Sequence, residues 1–169
     1  MNLKQLREAK VRLNEFLIEE NEKGDKMTIK QISVFLENKK GRLAQVTHIL
    51  GQNNIDISAI SIADTTNFGI IRMIVNKPDS AIQAIRDAGF TVNTTDVLAV
   101  EVSDCPGGLH QVLEILNHNN ISIEYLYSFV RRPSQSALIL FKVEDTDSTI
   151  KVLKDNNINV LSCQEVYNL

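Results

Sequence analysis

The sequence is poor in cysteine and lacks long apolar runs. Cys105 and Cys163 are its only cysteines, too few for the disulfide framework of a small secreted domain. No apolar stretch approaches the roughly 18 residues of a membrane-spanning helix, and the charged N-terminus lacks the apolar core of a secretory signal. These absences predict a cytoplasmic protein with reduced thiols and no membrane partner.

An excess of positive charge is also missing. The net charge is -3 and the isoelectric point is about 5.6, which argues against a protein that coats nucleic acid. An RNA-recognition domain would place stacking aromatic side chains on a central strand, but the stretch after Phe68 is aliphatic and Ser136–Leu140 has no aromatic residue. We therefore expect no nucleic-acid partner. The loop that contains Cys105 has no second cysteine, and the three histidines are scattered along the sequence. We therefore expect no metal and no cofactor.

The sequence does contain an internal repeat. At an offset of 66, Gly41–Ile57 matches Gly107–Ile123 at about ten of seventeen positions, and the similarity continues on both sides. Two copies of about 70 residues are too few for a solenoid and indicate a duplicated domain. The predicted organisation is a helix and linker over residues 1–26, a first domain over 27–96 and a second domain over 97–169.

Each copy shows the same order of strand and helix patterns. Alternating apolar residues predict strands, and apolar residues at helical spacing predict helices, which gives βαββαβ. The strands of the first copy are predicted around Ile32–Leu36, Ile55–Ile62, Ile70–Val75 and Thr91. Its first helix is expected to stop at Asn53 and Asn54, and its second to be capped by Asp79 or Ser80. In the second copy we predict strands Val97–Val102, Ile121–Val130, Ala137–Val143 and Asn159–Val166, and helices Gly108–His118 and Ser148–Asp155.

This order predicts an α+β protein with two tandem ferredoxin-like domains. We expect their antiparallel sheets to pair side by side at edge strands, which gives eight strands and brings the two strand–helix loops near a pseudo-twofold axis. Apolar residues on the third strands should point away from the helices; these are Ile70, Ile74, Leu138 and Leu140. A large uncovered apolar face marks an interface, so we expect a second chain in a homodimer, or the N-terminal helix, to cover it.

A short motif in the second copy resembles a known family. Asp104–Leu109 is similar to the D-x-P-G-x-L signature of ACT domains, and Asn120–Ile123 resembles their N-I-x-I second strand. The first copy keeps Gly41, Leu43 and Asn54–Ile57. The chain thus resembles stand-alone proteins made of two ACT domains. The resemblance implies a non-catalytic, allosteric regulatory protein that binds an amino acid or a related small metabolite.

The candidate ligand-binding residues lie where the first strand of each copy meets its helix. Glycine lets backbone approach a ligand, and a helix N-terminus offers N–H groups to a carboxylate. The candidates are Asn38, Lys39, Lys40, Gly41, Arg42 and Leu43 in the first loop, and Asp104, Cys105, Pro106, Gly107, Gly108 and Leu109 in the second. Asp104 would accept from an α-ammonium group or cap the helix. By the resemblance, Ile57, Ser58, Ile123 and Glu124 are secondary candidates. The basic first loop suits a more acidic ligand, or is a solvated loop that has lost binding.

Two other functions stay open on the sequence alone. The chain could be a regulatory or structural subunit of an amino-acid metabolic enzyme that acts mainly through protein contacts. A small acylphosphatase-like hydrolase is the third possibility, although no paired nucleophile and base are visible. The apolar stripe in residues 1–26 could dock on its own domain or on another protein.

Overall fold

The computed structural model describes residues 26–37, 39–64, 68–129 and 136–169. The predicted N-terminal helix therefore lies outside the described residues, and so does most of the turn after Asp64. The first half of the described chain contains β1 (Thr28–Glu37), α1 (Arg42–Gln52), β2 (Ile57–Asp64), β3 (Phe68–Val75) and α2 (Pro78–Asp87). The second half contains β4 (Thr91–Ser103), α3 (Gly108–His118), β5 (Ile123–Ser128), β6 (Ser136–Val143), α4 (Thr146–Asp155), β7 (Val160–Leu161) and α5 (Cys163–Tyr167).

All described strands belong to one antiparallel sheet with the order β2-β3-β1-β4-β6-β5, and β7 also pairs with β4. The long strand β4 serves both copies, since Thr91–Leu98 pairs with β1 and Leu98–Ser103 pairs with β6. The two sheets are thus side by side, as predicted. The expected eight strands are seven in the described chain, because the last strand of the first copy and the first strand of the second are one continuous strand.

The helix ends follow the local sequence with one exception. Asn54 and Asn120 take positive φ values of 52° and 56° just after α1 and α3, which asparagine tolerates better than most residues. Helix α2 begins at Pro78 and has no side-chain cap. The sequence predicts a cap by Asp79 or Ser80, and this prediction is wrong. The Asp79 carboxylate instead pairs with the Lys30 ammonium at 2.6 Å.

Each pair of helices covers one half of the same sheet face. Helices α1 and α2 pack on the strands of the first copy, and α3 and α4 pack on those of the second. The two cores are built from equivalent positions: Met73 on β3 and Phe141 on β6 are both buried under helices. The predicted ferredoxin-like arrangement therefore holds in both halves.

Much of the opposite sheet face is buried by the chain itself. Ile74 and Ala59 of the first half share a buried cluster with Leu138 and Leu140 of the second half. The sheet thus curls until its two halves pack face to face. The other domain thus covers Ile74, Leu138 and Leu140, where a second chain or the N-terminal helix had been expected. The N-terminal helix lies outside the described residues, and the homodimer stays a prediction.

The C-terminal segment also differs from the predicted strand Asn159–Val166. Strand β7 stops at Leu161, and α5 follows with a capping box in which Ser162 and Glu165 satisfy each other's backbone N–H groups. The apolar alternation was misread, because Cys163 and Val166 lie three residues apart on a helix and both enter the cluster between the sheet halves.

Candidate functional site

The two candidate loops have the same backbone conformation. Gly41 and Gly107 each precede a helix with φ of 89°, a left-handed conformation that costs other L-residues free energy. The N–H of Arg42 donates to the Lys39 carbonyl at 3.3 Å, and the N–H of Gly108 donates to the Cys105 carbonyl at 3.0 Å. The repeat in sequence is therefore a repeat in local structure.

Both loops leave helix N–H groups without a partner. Neither α1 nor α3 has a side-chain cap. Within the described chain, the N–H groups of Leu43 and Ala44 have no acceptor, and neither do those of Leu109 and His110. Unpaired N–H groups at a helix N-terminus favour an anion. Ala44 and His110 were not among the sequence candidates, because only their backbone takes part.

Gly108 has a structural role that the sequence did not reveal. A Cβ atom at this position would overlap the carbonyl oxygen of Ser103, whereas one at Gly107 would meet nothing within 4 Å. Gly107 is therefore required by its positive φ, and Gly108 by the close approach of α3 to the end of β4. These backbone reasons account for both glycines, and the close approach of a ligand to them stays a prediction.

The first loop carries a partly neutralised basic cluster. Lys39 Nζ lies 2.8 Å from Glu37 Oε2, and Arg42 Nη2 lies 3.6 Å from the same oxygen. The hydrogen bond and charge of Lys39, with a smaller effect of Arg42, hold the pKa of the Glu37 carboxyl below its usual value. Lys40 has no ionic partner among the described residues. Asn38 lies outside the described residues.

The second loop is more open and carries one acidic group. Asp104, Cys105 and Pro106 are exposed, and Asp104 does not cap α3. Its carboxylate has no partner in the part of the chain that the structure describes. Leu109 packs on the core beneath α3, whereas Asp104 belongs to the exposed segment that precedes the helix.

The secondary candidates lie at the starts of β2 and β5. Ile57 and Ile123 pack against the two helix-covered cores, and Ser58 is half-buried. Glu124 is exposed and pairs with Lys142, whose Nζ lies 3.5 Å from its Oε1. The isoleucines are thus core residues.

The structure does not bring the two loops together. The loop after β1 lies at the Thr91 end of β4, since Phe35 pairs with Thr91, whereas the second loop follows Ser103. At a rise of about 3.3 Å per residue, about 40 Å of strand separates these ends. The expected juxtaposition at a pseudo-twofold axis is wrong, because β4 is shared end to end.

No group of three or more histidine, cysteine or acidic side chains among the described residues could hold a metal ion.

None of the described helices is both long and apolar enough to cross a membrane.

Comparisons with known proteins agree with this architecture. The family described as an ACT domain pair matches residues 27–169. Protein BT0572 from Bacteroides thetaiotaomicron is 41% identical; the match covers 85% of this chain and 98% of that protein, with a TM-score of 0.80.

More distant structures share the fold alone. The regulatory subunit of aspartate kinase from Thermus thermophilus is 14% identical over 78% of this chain and 94% of its own, with a TM-score of 0.56. The corresponding subunit from Thermus flavus is 13% identical over 75% and 90% of the two chains, with a TM-score of 0.53. No curated protein gives a significant match. The repeat, the paired loops and the family match together show that this chain belongs to the family of ACT domain pairs.

Proposed function

We propose that this protein is a non-catalytic regulatory protein that binds an amino acid or a related small metabolite at its strand–helix loops. The observation that carries the proposal is the pair of free N–H groups at the start of α1 and again at the start of α3. By contrast, Asp145 caps α4 by accepting from the Ser148 N–H at 3.0 Å. The two loops are thus open to an external carboxylate where a side chain could have closed them.

The second loop is the better match for a zwitterion. The N–H groups of Leu109 and His110 suit an α-carboxylate, and the exposed carboxylate of Asp104 suits an α-ammonium group. Both halves of the ligand then find opposite charge within one loop. This division of roles requires no residue from the other domain.

The first loop suits a ligand with more negative charge. Glu37 offsets part of the charge of Lys39 and Arg42, and Lys40 keeps the cluster positive. We therefore expect this loop to prefer an acidic amino acid or a dicarboxylate. Because the two loops lie at opposite ends of β4, they act as separate sites.

Thermal unfolding in the presence of each common amino acid tests the proposal. A ligand at 100 times its dissociation constant should stabilise the protein by about 2.7 kcal/mol, which raises the midpoint by several degrees. Asp104→Asn should abolish the shift for a ligand of the second loop. Asp147→Asn, which removes an exposed carboxylate in the first turn of α4, at the other end of that helix from the second loop, is the matched control and should leave the shift unchanged.

If no amino acid changes the midpoint, the sensor proposal fails and the subunit function is favoured. The likeness in fold to regulatory subunits of aspartate kinase supports that second candidate. It predicts a stable complex with an amino-acid metabolic enzyme, detectable as co-elution of the two purified proteins.

A further inference from the structure

An arginine without an acidic partner lies on the sheet face between the two domains. Arg72 on β3 is half-buried, and its guanidinium carbon lies 4.1 Å from the centre of the Tyr125 ring on β5. None of the described carboxylates lies within ion-pair distance of it. A half-buried cation that packs on an aromatic ring and has no acidic partner among the described residues retains strong capacity to bind an anion.

Hydroxyl groups surround this arginine on the same sheet face. Ser33 and Ser61 lie directly opposite Arg72 on the two neighbouring strands, so the three side chains form one row across the sheet. The amide nitrogen of Gln31 donates to Ser33 Oγ at 3.2 Å and to the Tyr125 hydroxyl at 2.8 Å. Neither hydroxyl donates to an acceptor within the described residues, so both protons can serve a ligand.

The side-chain amide oxygen of this cluster already accepts a hydrogen bond from within the protein. The Gln31 side-chain oxygen accepts from the Tyr127 hydroxyl at 3.0 Å, and Gln31 is fully buried. Burial, more than the nearby Tyr125, raises the pKa of Tyr127, so this hydroxyl stays protonated at neutral pH. The cluster thus has donors and a cation in excess over acceptors, which is the chemistry of an anion site.

The internal repeat shows that the fold does not require this polar row. The residues at the same register positions in the second half are Ala99 for Ser33, Leu140 for Arg72 and Tyr127 for Ser61. Leu140 is fully buried in the cluster between the sheet halves. An apolar residue therefore fills the equivalent position, and Arg72 stands out as a feature particular to the first half.

The next row outward is apolar. Phe35 and Ile70 lie opposite each other one row from Arg72 on the same face, and Phe35 is 39% exposed. This pair offers a surface to a hydrocarbon tail whose head contacts Arg72. No carboxylate of the described residues pairs with this arginine, so we expect a ligand without an α-ammonium group.

We propose that Arg72, Ser33, Ser61 and Tyr125 form a second ligand site, for a small organic acid whose carboxylate binds the guanidinium and whose apolar tail lies on Phe35 and Ile70. The site is separate from both strand–helix loops and does not depend on their function. A planar guanidinium matches a carboxylate through two parallel hydrogen bonds.

Tyrosine emission gives a direct test with hexanoate as the probe and its neutral isostere hexanamide as the comparison. The sequence has no tryptophan and three tyrosines, of which Tyr125 and Tyr127 belong to this cluster. Hexanoate should change the emission saturably, acetate should bind more weakly because it lacks the tail, and hexanamide should have no effect. Equal responses to hexanoate and hexanamide would overturn the proposal.

Two variants assign the response to this site. Arg72→Leu, which introduces the residue of the second copy, should weaken hexanoate binding about tenfold or more. Ser33→Ala, which also introduces the residue of the second copy, should weaken hexanoate binding less. This variant provides the test if Arg72→Leu does not fold. Lys151→Gln, an exposed cation on α4, is the control and should bind as the unaltered protein does. Unchanged affinity in a folded Arg72→Leu or Ser33→Ala variant would show that the probe binds elsewhere.

Discussion

Single residues explain why the two loops share a backbone but differ in surface. Gly107 and Gly41 both supply the left-handed conformation before a helix, and the sequence repeat predicted their equivalence. Gly108 and its counterpart Arg42 differ because only α3 comes so close to the preceding strand that a Cβ is excluded. That close approach depends on tertiary packing, so the sequence alone could not distinguish it from a glycine kept open for a ligand.

A series of glycine-to-alanine variants separates these roles. Gly107→Ala should lower the free energy of unfolding by about 1–2 kcal/mol because of its positive φ. Gly108→Ala should cost more, because Ser103 and the whole helix must shift. Gly51→Ala, where a Cβ meets nothing within 4 Å, should be neutral or stabilising by up to about 1 kcal/mol. Urea unfolding measures all three, and a neutral Gly108→Ala would contradict the packing argument.

Among the elements, α3 and α5 mark the two extremes of what the sequence could predict. The bounds of α3 agree with the prediction, because a glycine before the helix and Asn119–Asn120 after it delimit a clear apolar period. Helix α5 was missed, although Ser162 and Glu165 carry the spacing of a capping box. Its five residues are too few for a helical period, and alternation in a short apolar segment favoured a strand.

Helix α5 ties the C-terminus to the first domain. The Cys163 N–H donates to the Lys26 carbonyl at 2.8 Å, and the Lys30 N–H donates to the Tyr167 hydroxyl at 3.0 Å. Burial is the main cause that raises the pKa of Tyr167 from 10.0 to about 12. As the pH rises, the Tyr167 hydroxyl therefore loses its proton in the unfolded chain before it does so in the folded protein.

Tyr167 should therefore make stability depend on alkaline pH. Its contribution is complete below about pH 10, the unfolded value, and is lost as the pH rises through about 12. Tyr167→Phe should cost about 1 kcal/mol at neutral pH through the lost hydrogen bond and should reduce the loss of stability between pH 10 and 12. Urea unfolding at a series of pH values checks this, and an unchanged pH slope would contradict it.

For the whole molecule, the shared strand β4 and the cluster between the sheet halves make two domains into one unit. The repeat predicted both domains and the side-by-side sheet. It could not predict the curl that packs one sheet face on the other, because that packing depends on distant pairs such as Gln31 with Tyr125. For the same reason, it predicted the loop residues but not that β4 holds the two loops apart.

The two halves should unfold together. Ile74→Ala leaves a cavity in the cluster between them and should cost about 2–5 kcal/mol. Amide hydrogen exchange should then accelerate in α3 and α4 of the second half as well as in α1 and α2, because the mutated side chain supports both. Faster exchange confined to the first half would show that the domains unfold independently.

The most direct test of the central claim is a titration of the isotope-labelled protein with individual amino acids, followed by amide NMR. If the loops bind a ligand carboxylate, the amide resonances of Leu109 and His110, or those of Leu43 and Ala44, should shift saturably and with the largest amplitude in the chain. Asp104→Asn should then weaken the response at the second loop and leave the first unchanged. If amino acids that stabilise the protein leave all four amides unmoved, the strand–helix loops are not the ligand sites.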